Sequence, residues 1–172
     1  MRGKGTLHYG GAGCESIETM ALFLLGVKQT TKAIVHEAGK KRRGTCADNE
    51  SMPVDQFIRR GFDVKAGRLV KQSLQITDNE ISNLIGITSR TMQRKLKTGG
   101  KFDMITSDRL YRVAYIMALA TEVFENNDEA RKWLHEPQYD LANRIPLVVI
   151  ETEAGAREVE NLLQRIEHGV MA

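Results

Sequence analysis

The clearest pattern in the chain lies in the stretch TDNEISNLIGITSRTMQRKLK, at residues 77–97. Thr77 and Glu80 have the spacing of a capping box, in which a hydroxyl and a carboxylate each bond a free backbone N–H group where a helix begins. Gly86 stands where a tight turn needs a positive φ, and Ser89 is expected to cap a second helix. The stretch therefore predicts helix, turn and helix within about twenty residues, which is the layout of a helix-turn-helix.

The second helix of this motif leaves a basic and polar face outside. Met92 and Leu96 are four residues apart and are expected to face the core. The remaining side chains are of the types that read DNA, since Arg bonds guanine, Gln bonds adenine and Lys bonds phosphate. The candidate DNA-binding residues are Thr88, Ser89, Arg90, Gln93, Arg94, Lys97 and Lys101. The alternative is an amphipathic helical hairpin whose basic face is simply solvated.

One position departs from the usual helix-turn-helix pattern. Ser82 supplies the small residue that is common in the fifth place, but Lys95 stands where an apolar residue is usual, and Leu96 follows one place later. This displacement predicts a second helix that is rotated or shifted relative to the usual geometry.

Outward from the motif, every segment from Pro53 onward has helical periodicity and none alternates like a strand. Pro53 suits the first turn of a helix, and Thr152 suits the cap of the last one. The fold class is therefore predicted to be all-α, a helical bundle with a helix-turn-helix followed by a C-terminal helical module. The other expected helices run over residues 53–60, 64–74, 107–124, 128–135 and 153–168.

Charge is distributed unevenly and suggests three parts. Residues 1–50 carry a net charge of +3, residues 51–110 carry +5, and residues 111–172 carry −5. The first part combines a glycine-rich leader, a short apolar helix predicted over 17–35 and a basic linker, so it is expected to be a mobile or partly helical extension. A basic middle and an acidic end favour two partners of opposite electrostatic preference, with nucleic acid the usual partner of the basic part.

Composition excludes several classes of protein. The 172 residues are 41% hydrophobic and 27% charged, which is typical of a globular chain rather than a disordered or fibrous one. Two cysteines cannot form a disulfide framework, so a reducing, cytoplasmic location is expected. The longest apolar stretch, residues 20–27, is far shorter than a membrane span and has no features of a signal peptide. No membrane partner is expected.

Metal binding and catalysis are both poorly supported. His8, Cys14, His36 and Cys46 could form a Cys2His2 set, but no pair of them has the close spacing that zinc sites use. No phosphate-binding loop or dinucleotide fingerprint is present, and the adjacent pairs 135–136 and 167–168 point in different directions on a helix. The chain is therefore expected not to be an enzyme and to hold no cofactor or metal.

From about Pro53 to its end, the chain resembles the Xre/MbcA/ParS family of antitoxins. Two stretches carry the resemblance: GITSRTMQRKL at residues 86–96, and IPL at 145–147 followed by ETEAGAREVENLLQRIEHGV at 151–170. The resemblance implies an antitoxin that neutralises a RES-domain toxin, an NAD-consuming or ADP-ribosylating enzyme. It also implies that the chain represses its own operon by binding operator DNA, and that it is a homodimer.

The same resemblance implies a toxin-binding and dimerisation module over residues 111–172, after a DNA-binding domain over 51–110. An acidic module suits a basic toxin pocket, although cationic groups near the tail could equally pair with catalytic carboxylates. Two alternatives stay open: a free-standing helix-turn-helix repressor without a toxin, and a protein-binding adaptor that does not bind DNA. The implied toxin-binding residues are Trp133, Asn143, Arg144, Glu153, Arg157, Glu160, Arg165, His168, Gly169 and Val170.

Overall fold

The computed structural model describes residues 53–169, so the helix predicted over 17–35 and the cysteine and histidine set before residue 50 lie outside the described residues. Residues 53–169 form eight α-helices and one short 3-10 helix, with two isolated β-bridges and no strand, which confirms the all-α fold class. The α-helices are α1 (Val54–Arg60), α2 (Val64–Leu74), α3 (Asp78–Ile85), α4 (Ser89–Thr98), α5 (Met104–Phe124), α6 (Asn127–His135), α7 (Pro146–Val149) and α8 (Glu153–Glu167).

The helix-turn-helix forms as its sequence predicts. The Thr77 hydroxyl accepts from the backbone N–H of Glu80 at 3.3 Å, and a Glu80 carboxylate oxygen accepts from the backbone N–H of Thr77 at 2.7 Å. Gly86 ends α3 in the left-handed region, at φ 71°. The turn is closed by a hydrogen bond of 2.9 Å from the backbone N–H of Ile87 to the carbonyl of Ser82. The side chain of Ser82 is buried.

Four helix starts differ from the prediction, and in three of them a side-chain cap is the reason. Pro53 is the cap of α1 rather than part of its first turn. Thr88 caps α4 instead of Ser89, because its hydroxyl accepts from the backbone N–H of Thr91 at 3.1 Å. Asp103 caps α5 and Asn126 caps α6, so these helices begin earlier than periodicity alone predicted, at residues 104 and 127.

The central helix of the bundle is α5. The sequence over 107–124 has a stripe of apolar residues wide enough to predict burial on more than one side. Ten residues of α5 are buried, among them Ile116 and Leu119 beyond that stripe, which confirms the prediction. The helix packs against α1, α2 and α3 on the helix-turn-helix side and against α6 and α8 on the other. Residue 110 lies inside it, so both sides of the predicted domain boundary share one helix. The division into two domains stays a prediction.

A second connection joins α6 to the end of α2. The Arg131 side chain donates to the carbonyl of Ser73 at 2.9 Å, and Nε2 of His135 lies 3.0 Å from the carbonyl of Leu74. These bonds satisfy two of the carbonyls that a helix leaves free at its C-terminal end. His135 therefore has a structural role here.

The sequence around Asn143, Arg144 and Pro146 predicts a loop before the last helix. This prediction is wrong in part, because the segment contains two short helices. A 3-10 helix forms at Tyr139–Leu141. The helix α7 begins at Pro146, because the fixed φ of proline suits a first helical position. Leu147 and Val149 of α7 are buried. The predicted Thr152 cap of α8 is confirmed by its 3.1 Å bond from the backbone N–H of Gly155.

Gly155 brings α8 very close to α7. A Cβ atom at this position would overlap the carbonyl oxygen of Val149 and lie 3.0 Å from the hydroxyl of Thr152. Because both neighbours belong to fixed parts of the fold, only glycine allows this approach. Within residues 53–169, no helix combines the length and hydropathy that a membrane span would need.

Candidate functional site

The outer face of α4 is basic and exposed. Met92 is buried and Leu96 is half-buried, so α4 packs through the side that the sequence predicted. Of the seven candidate DNA-binding residues, six are exposed: Thr88, Arg90, Gln93, Arg94, Lys97 and Lys101. Helical spacing places 90, 94 and 97 along one side of α4. A helix with this face has the side chains that could contact bases and phosphates in a major groove.

Lys95, the residue of α4 that departs from the usual helix-turn-helix pattern, has a hydrogen-bond partner close by. Lys95 is half-buried, and its ammonium donates to the backbone carbonyl of Lys101 at 3.1 Å. Lys101 in turn reaches the carbonyl of Arg60 at 3.4 Å. Lys95, which stands where an apolar residue is usual, therefore bonds the loop that follows α4. Leu96 packs against the core instead.

A side chain of α5, Arg109, lies against the turn between α3 and α4. A Cβ atom on Gly86 would overlap the guanidinium of Arg109, so this side chain occupies the space that glycine leaves open. The positive φ of Gly86 is what requires a residue without a side chain, since the end of a flexible arginine can shift. Arg109 thus links the position of the turn to the central helix.

A polar cluster, formed by Lys71, Asp78 and Gln93, connects three helices beside the exposed face. Oδ1 of Asp78 accepts from the ammonium of Lys71, and Oδ2 accepts from Nε2 of Gln93 at 2.7 Å. The bond from Lys71 lowers the pKa of Asp78 below its ordinary value of 3.8, and the bond from Gln93 lowers it further. A parallel bond of 2.6 Å joins the Ser89 hydroxyl to Asn79. Ser89 is therefore half-buried and engaged within the motif.

Sequence reasoning missed Lys71, Asp78 and Asn79. Asp78 and Gln93 are fifteen residues apart, so no helical spacing relates them. The sequence offered one signal, which was their position. Asp78 and Asn79, the two acceptors, lie in the first turn of α3, beside the start of α4.

In the C-terminal part, the predicted toxin-binding residues lie on two different sides of α8. Glu153, Arg157 and Glu160 lie on the side that faces α5, where they line an open groove of about 330 Å³. The Arg112 guanidinium bonds Glu153 at 2.7 Å, and the Tyr115 hydroxyl donates to Glu160 at 3.0 Å. We call this the groove side. Its charged groups are largely paired with one another.

A second side of α8, here called the loop side, carries Glu158 and Arg165 and lies beside the segment 138–150. Arg144 donates to Glu158 at 2.6 Å and to the carbonyl of Leu141 at 2.8 Å. Glu158 and Arg165 are seven residues apart, so they lie on the same side of the helix. Asn143 is exposed in the left-handed region, at φ 56°. Arg144, Asn143 and Arg165 are thus brought to one side.

The remaining predicted toxin-binding residues are more scattered. Trp133 is half-buried, with its ring centroid 5.7 Å from that of Phe124, so it packs α6 onto the end of α5. His168 and Gly169 are exposed where α8 ends. Val170 lies outside the described residues.

Two exposed apolar side chains in the segment 138–150 were not predicted. Tyr139 is 87% exposed and Val148 is 58% exposed. They lie on the 3-10 helix and on α7, the two short elements that periodicity does not detect.

In the described part of the chain, no group of three side chains of the types that bind metal ions is close enough together to hold one.

The charge cluster on the groove side predicts a pH effect on stability. The bond from Arg112, with Arg157 adding to it, lowers the pKa of Glu153 below its ordinary value of 4.5. A carboxylate with a lowered pKa stabilises the fold above its unfolded value, and this contribution is lost as pH falls through the folded pKa. We expect Glu153→Gln to lower the free energy of unfolding at neutral pH and to flatten its decrease below about pH 4.5.

Urea unfolding of both proteins between about pH 7 and about pH 3 measures this difference. Glu167→Gln removes one exposed carboxylate from the same helix and controls for net charge. Parallel curves for the parent and Glu153→Gln across the acid range would contradict the prediction.

Comparisons with known proteins give two family models that match. A model described as the antitoxin Xre-like helix-turn-helix domain matches residues 53–115, and one described as the antitoxin Xre/MbcA/ParS C-terminal toxin-binding domain matches residues 119–169. The chain is 33% identical over 130 residues to the protein named Antitoxin Xre of Yersinia enterocolitica, covering 75% of this chain and 87% of that protein.

Two further relatives carry the same name. The protein of Photorhabdus laumondii is 34% identical over 94 residues, which cover 54% of this chain and 64% of the relative. The protein of Pseudomonas putida is 31% identical over 83 residues, which cover 48% of this chain and 52% of the relative.

Proposed function

The chain belongs to the Xre/MbcA/ParS family of antitoxins, and from this premise we propose that it neutralises a toxin by direct binding and represses its own operon. Residues 51–110 are the DNA-binding domain and residues 111–172 the toxin-binding and dimerisation module, after an extension over 1–50. The protein acts as a homodimer in the cytoplasm. It has no catalytic role of its own.

The exposed basic face of α4 is the observation that supports operator binding. Arg90 and Gln93 contact base edges, and Lys97 and Lys101 contact phosphates, together with Thr88, Ser89 and Arg94. The test is a gel shift of the full chain on the DNA upstream of its own gene, repeated over a series of salt concentrations. Affinity that falls linearly with the logarithm of salt supports phosphate contacts, whereas no shift at low salt contradicts the proposal.

The toxin is proposed to be a RES-domain enzyme that consumes NAD or transfers ADP-ribose. The family resemblance supports this class, and the net charge of −5 over residues 111–172 suits a toxin surface that binds phosphates. Co-expression with the product of the adjacent gene is the direct test, with growth and cellular NAD as readouts. Restored growth with restored NAD supports the proposal; a neighbour that is not toxic would favour a free-standing repressor instead.

We place the main toxin contact on the loop side of α8. Tyr139 and Val148, in the segment 138–150 beside this side, offer exposed apolar area, and aromatic anchors dominate many protein interfaces. Asn143, Arg144 and Arg165 supply a polar rim, and His168, Gly169 and Val170 continue it beyond the helix. On the groove side, Glu153, Arg157 and Glu160 already bond partners within the chain, so they contribute at the edge of the contact.

A Tyr139→Ala, Val148→Ala double variant is expected to bind the toxin about 10-fold more weakly or worse, because buried interface anchors cost more than 1 kcal/mol each when truncated. Stability should change little, since both side chains are exposed. The measurement is toxin affinity by calorimetry, with Leu69→Ala as the control. Leu69 is an exposed apolar residue of α2, outside the proposed interface. Unchanged affinity in the double variant would move the contact to the groove side.

A further inference from the structure

The cluster of Lys71, Asp78 and Gln93 holds one exposed side chain of α4 in a fixed orientation. Gln93 is exposed on α4, and its amide lies 2.7 Å from a carboxylate oxygen of Asp78. An ionised carboxylate only accepts hydrogen bonds, so the amide nitrogen must be the group that faces it. Lys71 bonds the other oxygen and favours the ionised form. The carbonyl oxygen of Gln93 is therefore directed away from Asp78.

This orientation has a consequence for base recognition. The amide nitrogen has two N–H bonds, so one can bond Asp78 while the other remains beside the carbonyl oxygen. The free edge then presents one acceptor and one donor, which complement the N6 amine and N7 of adenine in the major groove. Guanine presents two acceptors there, N7 and O6, and would face the carbonyl oxygen of Gln93. A freely rotating amide could instead turn its nitrogen toward guanine.

We propose that Asp78 is a positioning residue that fixes the amide of Gln93 and makes the chain select adenine over guanine at the base that Gln93 contacts. This inference rests on the proposed operator binding. Asp78 itself touches no base in this account; it acts through Gln93 alone. Its effect is therefore on the sequence preference at a single position, which a general weakening of the fold would not change selectively.

The experiment selects binding sites from a pool of randomised duplex DNA with the full chain and counts each base at each position. The parent is expected to enrich adenine at one position, and Gln93→Ala should lose that preference there. Asp78→Ala should lower the adenine-to-guanine ratio at the same position by about 10-fold, with the other positions unchanged. Asn83→Ala, an exposed change on the same helix, should keep the ratio of the parent.

A second variant keeps the test decisive if Asp78→Ala does not fold. Asp78→Asn preserves shape, but its amide can offer Gln93 either a donor or an acceptor, so the ratio should fall here too. Folded Asp78 variants that retain the ratio of the parent would overturn the inference and leave operator binding intact. A preference that survives Gln93→Ala would also overturn it. A parent chain that enriches no sequence would contradict the proposed function itself.

Discussion

An Arg90→Ala, Arg94→Ala double variant is expected to bind its operator at least about 30-fold more weakly than the parent. Both residues are exposed on the outer face of α4, and helical spacing puts them on one side. Each base contact from an arginine is worth about 1–3 kcal/mol, so the loss of two corresponds to about 30-fold or more. The fold should be preserved, because neither side chain is part of the core.

The measurement is operator affinity at several salt concentrations, together with the thermal midpoint of unfolding. If the arginines contact phosphates rather than bases, the salt slope should fall by about two units as well. Lys132→Ala with Arg165→Ala removes the same charge from exposed positions in the C-terminal part and serves as the control. Equal losses in the two double variants would mean that net charge, and not the face of α4, governs binding.

Gly155→Ala is expected to lower the free energy of unfolding. The new Cβ would overlap the carbonyl oxygen of Val149, and neither α7 nor the Thr152 cap can move without disturbing buried residues. Insertions of this kind cost about 1–3 kcal/mol. Because α7 carries Val148, the displacement should also weaken toxin binding.

Urea unfolding and toxin affinity measure the two effects side by side. Ala154→Ser is the matched control, since it adds one atom at the neighbouring exposed position. If Gly155→Ala unfolds at the same urea concentration as the parent, the close approach of α7 and α8 is not a fixed feature of the fold.

Local patterns predicted the parts of this fold that depend on neighbouring residues. The capping box of Thr77 and Glu80 and the turn at Gly86 involve groups at most a few positions apart, so their spacing specifies them. Burial of α5 on several sides followed from its width of apolar residues. The start of α5 did not, because the side chain of Asp103 decides it.

Contacts between residues far apart in the sequence could not be predicted from local patterns. Arg109 lies against Gly86 across 23 positions, and Asp78 bonds Gln93 across fifteen; only the packing of helices brings these pairs together. The same holds for the split of the predicted toxin-binding residues, since the two sides of α8 become distinct only when α5 covers one of them. Short elements such as α7 contain too few residues for periodicity to show.

The two halves of the molecule depend on the same helix, α5, for their packing. Because it packs against helices on both sides of residue 110, opening it would expose apolar area in the two halves at once. A protease that cleaves the opened chain would then end the proposed operator binding and the proposed toxin binding in one event. On the function proposed above, loss of the chain would release existing toxin and restart transcription of the operon together, so the supply of new antitoxin would rise at the moment when the old antitoxin disappears.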